Sequence, residues 1–280
     1  MASILVRGTS NSSNRADRVA IAIATCAALR FNKKVLILPL TTSFNPLDVL
    51  IGQKTKETMV KARGYVFDDS GIDALLRRIE QGAIDATGFA GVCANIAKEG
   101  NLFDIAANSK RQDLAEYIPT IEVQLTKILK HANKVYDLVI VLADAKDKEA
   151  LKVLEKITDK ELTVIAQGPK MDFEATAETL YAINNYDDTS VYNYKAMKKI
   201  YGISGDTKMY PFPYNIRFKD ACRQENAIEF LASNVNEDQL DDNYVFLETL
   251  KNLTSAALGI ERAVIEERKF TSKERPSKRK

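Results

Sequence analysis

No run in these 280 residues is long and apolar enough to span a bilayer, and no basic stretch precedes an apolar one at the N-terminus. The expectation is a cytoplasmic protein. Histidine is nearly missing: the single His131 stands beside Lys130 near the end of a helical stretch, where a solvated last turn accounts for it better than catalysis. The three cysteines, Cys26, Cys93 and Cys222, are scattered without metal-type spacing, and Cys26 falls on an apolar helical face. Little is left for zinc chemistry or for an activated nucleophile.

What is present is 45% hydrophobic residues, enough to bury the core of one α/β domain. The net charge of +2 is unevenly spread. Residues 268–280 hold seven basic residues and one acidic, which leaves 33 basic and 37 acidic in the rest. We therefore expect one domain over residues 1–268 and a basic flexible tail over 269–280. Lys269, Lys273, Arg275, Lys278, Arg279 and Lys280 of that tail form an electrostatic handle for DNA, an anionic membrane or an acidic partner, or else only a solubilising end. Phe270 is the tail's one apolar anchor and Pro276 interrupts it, which disfavours membrane insertion.

The chain opens with a buried strand (3–7), a small polar loop (8–16), a helix (18–29) and a second buried strand (35–40), a βαβ unit of a parallel-sheet protein. Asp17 is placed to cap the helix from Arg18 onward. Further helical patterns cover residues 70–79, 84–97 and 114–132, and Asp172 is read as the cap of a helix over 173–182. Strand patterns cover 101–106, 136–143, 162–167, 189–195 and 208–215, and a closing helix covers 241–268. The fold class expected is α/β, with a mostly parallel central sheet flanked by helices in three layers and a short helical insertion.

The run Ala22-Ile23-Ala24-Thr25 resembles the first helix of the ParA/MinD family of P-loop ATPases, whose phosphate loop reads GKGGVGKT. Aligned without a gap, that loop falls on Ser10 to Asp17. The family's glycines meet Ser10, Ser12, Ser13 and Arg15, its lysines meet Asn11 and Ala16, and its magnesium-binding threonine meets Asp17. Cβ atoms obstruct the backbone approach that glycine gives to phosphate. A carboxylate at Asp17 would repel a phosphate by about 1–4 kcal/mol at such range. The family's acidic residues after its second strand fall on Leu38 and Leu40, and the aspartate ending its central strand falls on Leu142, with Asp144 two positions on as a weak substitute. Phe44 to Gln53 resembles the family's next segment in shape. Asn193, in a segment similar to the family's VINRY strand, matches the asparagine that reads the adenine edge, and Lys208 to Asn215 resembles its last strand.

The resemblance implies a degenerate member, close to the TadZ/CpaE type, that keeps the fold and has lost ordinary ATP hydrolysis. Such a protein would be a scaffold or adaptor that dimerises or docks on partners in a secretion, pilus, conjugation or partition machinery. It would need no cofactor and would show at most weak ATP or ADP binding, through a vestigial site at Asn11, Arg15, Arg18 and Asn193. Two alternatives stand beside it: a DNA-binding partition protein using the basic tail, and an active ATPase in which Arg15 and Arg18 replace lysine as phosphate donors.

Overall fold

The run Ala2–Gly8 forms β1, the strand about which the sheet is arranged. The computed structural model describes residues 2–9, 15–41, 71–82, 88–89, 91–97, 101–106, 113–145, 147–169, 176, 178–203, 208–236 and 243–260. After β1 come α1 (Ala16–Phe31), β2 (Val35–Leu40), α2 (Gly71–Glu80), β3 (Ala94–Ala97), β4 (Asn101–Ile105), α3 (Leu114–Thr120), α4 (Glu122–Val135), β5 (Leu138–Ala143) and α5 (Lys148–Ile157). The chain continues through β6 (Lys160–Ala166), β7 (Leu180–Tyr186), α6 (Tyr194–Ile200), β8 (Met209–Pro213), α7 (Ile216–Arg223), α8 (Ala227–Asn234) and α9 (Tyr244–Leu258). The expected fold class holds: an eight-stranded sheet in the order β3-β4-β2-β5-β1-β6-β7-β8, parallel except for the β3–β4 pair.

Alternation along the strands fills two layers. Ile4 and Val6 face a cluster built with α1, α7, α8 and α9, while Leu5, Leu36 and Leu38 face one built with α2, α3, α4 and α5. Helix α1 is buried along its middle on every side, from Val19 to Ala27, because it lies between the sheet and the α8–α9 pair. Its alanines allow that close approach. Cys26 is part of this core, as its position on the apolar face predicts. At the far edge β8 carries Pro211 and Pro213, which cannot donate to a further strand and so blunt the edge.

Five expected elements are corrected. Residues 84–97 include β3, which turns back antiparallel on β4 and is no helix there. The helix expected over 114–132 is two, broken at Ile121, whose φ of −112° and ψ of 15° leave the helical region and end α3 before α4 begins. Leu180 to Ala182, expected in a helix, begins β7, held between β6 and β8 on both edges; this pairing overrides the local helical pattern. Residues 189–192 are turn, and Tyr194 already begins α6, so no strand runs over 189–195. The closing helix stops at Leu258: Gly259 takes φ 72°, its N–H donates to the Ala256 carbonyl, and Ile260 donates back to Ser255. Of the stripe expected on it, Leu247, Leu250, Leu253 and Ala257 are buried, Ile260 beyond the helix end is exposed, and Val264 lies outside the described residues. Phe44 to Gln53, Asp172 and the tail from Lys269 to Lys280 lie outside the described residues. Among those described, no helix is long and apolar enough to cross a membrane.

Candidate functional site

In an open parallel sheet, ligands bind beyond the carboxyl ends of the strands where successive connections leave in opposite directions. That point here is β1. The chain departs through α1 to β2 on one side, while β6, β7 and β8 are added on the other. Arg7 stands level with Ala143 of β5 and with Thr163 of β6, and the Thr9 N–H donates to the Val164 carbonyl at 3.2 Å as the strand ends. Gly8, Thr9, Ala143 and Val164 therefore lie at this carboxyl-end edge of the sheet, beyond which α1 begins at Ala16. Asn11 lies outside the described residues.

At α1 the structure corrects the expected cap. Arg15, and not Asp17, is the N-cap, with no side-chain cap bond and with left-handed φ 48°, ψ 48°. A non-glycine residue in this region carries strain of about 1–2 kcal/mol. Arg15 is the residue that the resemblance aligns with the last loop glycine of the ATPases. Asp17 is the second helical residue, only 7% exposed, and the Arg15 guanidinium clasps it with Nε–Oδ1 3.3 Å and Nη2–Oδ2 3.2 Å. Its carboxylate complements the positive end of α1. The place where a phosphate would be drawn thus holds an anion that belongs to the chain, already paired.

Arg18 adds a second cation one residue on. Its Nε is buried without a hydrogen-bond partner among the described residues. Burial first, and then the Arg15 charge, lowers its pKa, and it also lies in the field of Cys222 and Arg223 of α7. Burial pushes the Cys222 thiol up to about 11, against a smaller opposite pull from Arg18, so it is inert at neutral pH. The structure therefore brings Arg15, Asp17, Arg18 and the last turn of α7 together.

The remaining predicted residues are elsewhere. Leu38, Leu40 and Leu142 are at most 2% exposed and packed in the two cores, so none supplies an oxygen to a metal. Among the described residues no group of three or more His, Cys, Asp or Glu is arranged to hold a metal ion. Asn193 is exposed and caps α6, its side-chain oxygen accepting the Ala196 N–H at 3.1 Å. Next to β6 in the sheet is β7, which ends Ile183-Asn184-Asn185-Tyr186. Asn184 is buried there, level with Ala166 at the end of β6. Just past β6, Gln167 donates to the carbonyls of Asp187 and Tyr192 at 2.8 and 2.9 Å and accepts the Asp187 N–H at 2.9 Å, which anchors the turn beyond β7.

No family model and no curated protein matches the chain. Solved structures do. A ParA family ATPase from Chlorobium tepidum aligns with TM-score 0.61 and 14% identity over 90% of this chain and 97% of that one. MinD in the MinC:MinD cell division complex of Aquifex aeolicus gives 0.59 and 14% over 94% and 98%. The pNOB8 ParA bound to nonspecific DNA gives 0.56 and 10% over 92% and 98%. At these identities the likeness is one of fold, and the fold is that of the ParA and MinD ATPases.

Proposed function

We propose that this chain is a catalytically inactive ParA/MinD-like protein that acts as a positioning or assembly adaptor, docking on protein partners through the carboxyl-end face around α1. The observation that carries the reading is the Arg15–Asp17 pair seated at the α1 N-terminus. A triphosphate entering there would have to displace Asp17 from Arg15 and accept a buried like charge beside it. The leucines at Leu38, Leu40 and Leu142 add that no side chain at those positions would orient a hydrolytic water. An active ATPase drawing on Arg15 is disfavoured for the same reason, since that guanidinium is already engaged. For any residual base contact we favour Asn184, buried near the end of β7, over Asn193, whose side chain is engaged in capping α6.

The test is ATP turnover with magnesium, with calorimetry for binding. The expected result is turnover at background and no tight binding. Magnesium-dependent turnover that falls on replacing Asp144 would overturn the reading.

The charge asymmetry supports one second reading, contact with DNA through residues 269–280 on a more acidic body. Retention on DNA that weakens with salt and is lost on deleting 269–280 is its signature; no retention at low salt removes it.

A further inference from the structure

We propose that the outer edge of β3 takes up an extended segment of a partner protein as a further strand, with a lysine or arginine of that segment seated at the Asp104 carboxylate. The two ends of the sheet differ in what they leave open. Pro211 and Pro213 of β8 close one end. At the other, β3 reads Ala94-Asn95-Ile96-Ala97, with no proline and no charged residue, and among the described residues it pairs only with β4. In an antiparallel pair alternate residues turn their N–H and C=O away from the partner strand, so the outer side of β3 offers donors and acceptors to an incoming backbone. The bulge between Ile96 and Ala97 confines the regular part of this edge to Ala94–Ile96.

The side chains behind that edge select a basic occupant. Asn95 stands opposite Asp104 in the register and is exposed, while Asp104 behind it is only 9% exposed. The Asp104 carboxylate accepts the Asn95 side-chain N–H at 2.7 Å and the Tyr136 hydroxyl at 2.7 Å. Both donors are neutral. Burial, and then the bond to Asp104, pushes the Tyr136 hydroxyl far above its usual range, so it stays a donor, and burial pushes the nearby Cys93 thiol up to about 12. Arg78, whose charge reaches Cys93, donates to the Gly88 carbonyl at 2.7 Å, and no described lysine or arginine pairs with Asp104. A carboxylate nearly out of water and without a cation is an unbalanced charge, and this one lies one strand in from an open edge. A residue added opposite Asn95 would stand two strand spacings, about 10 Å, from Asp104. A lysine or arginine stem lying across the short Asn95 side chain brings its charge to the carboxylate. On the other face Ile96 and its cross-strand partner Phe103 are buried, so the neighbouring positions of the segment are apolar. Three strands, β4, β2 and β5, separate this edge from β1, so the docking does not rest on the state of the Arg15–Asp17 site.

Titration of the isotope-labelled full chain with an acetylated peptide of alternating valine and lysine, followed by amide NMR, tests it. The expected result is a shift of the Ala94–Ala97 amides at millimolar peptide, with binding at least about tenfold weaker when glutamate replaces lysine in the peptide. The same peptide methylated at every backbone nitrogen should give no shift, because it cannot donate to the β3 edge. In Asp104→Asn, with thermal melting showing that it folds, the lysine and glutamate peptides should bind alike. No shift at residues 94–97, equal binding of the two peptides by the natural chain, or binding that survives methylation each overturns the proposal. Shifts at these amides that follow protein concentration without peptide overturn it as well, since a second copy then holds the edge.

Discussion

Two helices start beside the carboxyl ends of strands in this sheet, and they start differently. Helix α7 has an asparagine cap: Asn215 accepts the Phe218 N–H at 2.8 Å from extended backbone at φ −122°. Helix α1 has a left-handed arginine at the same position and no side-chain cap bond. One end is built for stability alone. The other starts from a strained left-handed residue and holds an ion pair, Arg15 with Asp17, at its first turn. The contrast teaches that a helix start can be set by the strand and helix on either side of the turn and need not be set by a side-chain cap.

The largest way to probe that contrast lies beneath α7, where Phe246 packs on Phe212, Phe218 and Phe230 with ring centroids 4.8, 5.1 and 6.3 Å away. Phe246→Ala is expected to cost about 3–5 kcal/mol, read by denaturant unfolding. Asn215→Ala comes next: it removes the cap and takes away a partner of the nearly fully buried Asn243. A loss of about 2 kcal/mol is expected, seen as a lower melting temperature. Equal losses at α1 would break the comparison.

At α1 smaller effects are expected. Arg15→Gly relieves the left-handed strain but loses the pair with Asp17 and loosens the unfolded chain, so the net change in stability should lie within about 0.5 kcal/mol of zero. Asp17→Asn should change stability by less than about 1 kcal/mol. It should, however, create measurable affinity for ATP or inorganic phosphate in calorimetry, since Arg15 and the helix end then lack their internal anion. If Asp17→Asn binds no better than the natural chain, the carboxylate is not what closes the site.

How far the sequence was legible follows the same division. The central strands β1, β2 and β5 read correctly because a strand buried on both faces must be a continuous apolar run, and VLILPL and LVIVLA are such runs. Strand β7 did not, since Leu180-Tyr181-Ala182-Ile183 is too short to tell from a buried helical turn, and its identity comes from β6 and β8 on either side. At the helix start, the lack of glycine and lysine over residues 10–17 was plain from residue identity alone. The Arg15–Asp17 clasp was not, because a left-handed arginine is a product of tertiary constraint that no local propensity announces. Asn193 was taken for a base-reading residue in a strand when its segment Asn-Tyr-Lys-Ala starts a helix, an ordinary cap pattern.

The smallest expected effect concerns Cys222, on the last turn of α7 where the two helix ends meet. Its thiol is pushed up from about 9 to about 11, chiefly by burial. A folded-state pKa above the unfolded one means that the folded protein holds its proton longer. The resulting stability is fully present below pH 9 and is lost as pH rises through about 11. Stability measured from pH 8 to 11 should therefore fall in the natural chain and fall less in Cys222→Ala, by under about 2 kcal/mol over the window. Cys93, raised to about 12 by burial and the Asp104 charge, gives the same sign of slope and sets the background against which the Cys222 share is read. If removing Cys222 leaves the slope unchanged, the thiol titrates alike in both states, and the end of α7 does not bury it against α1 as tightly as the packing around Arg18 requires.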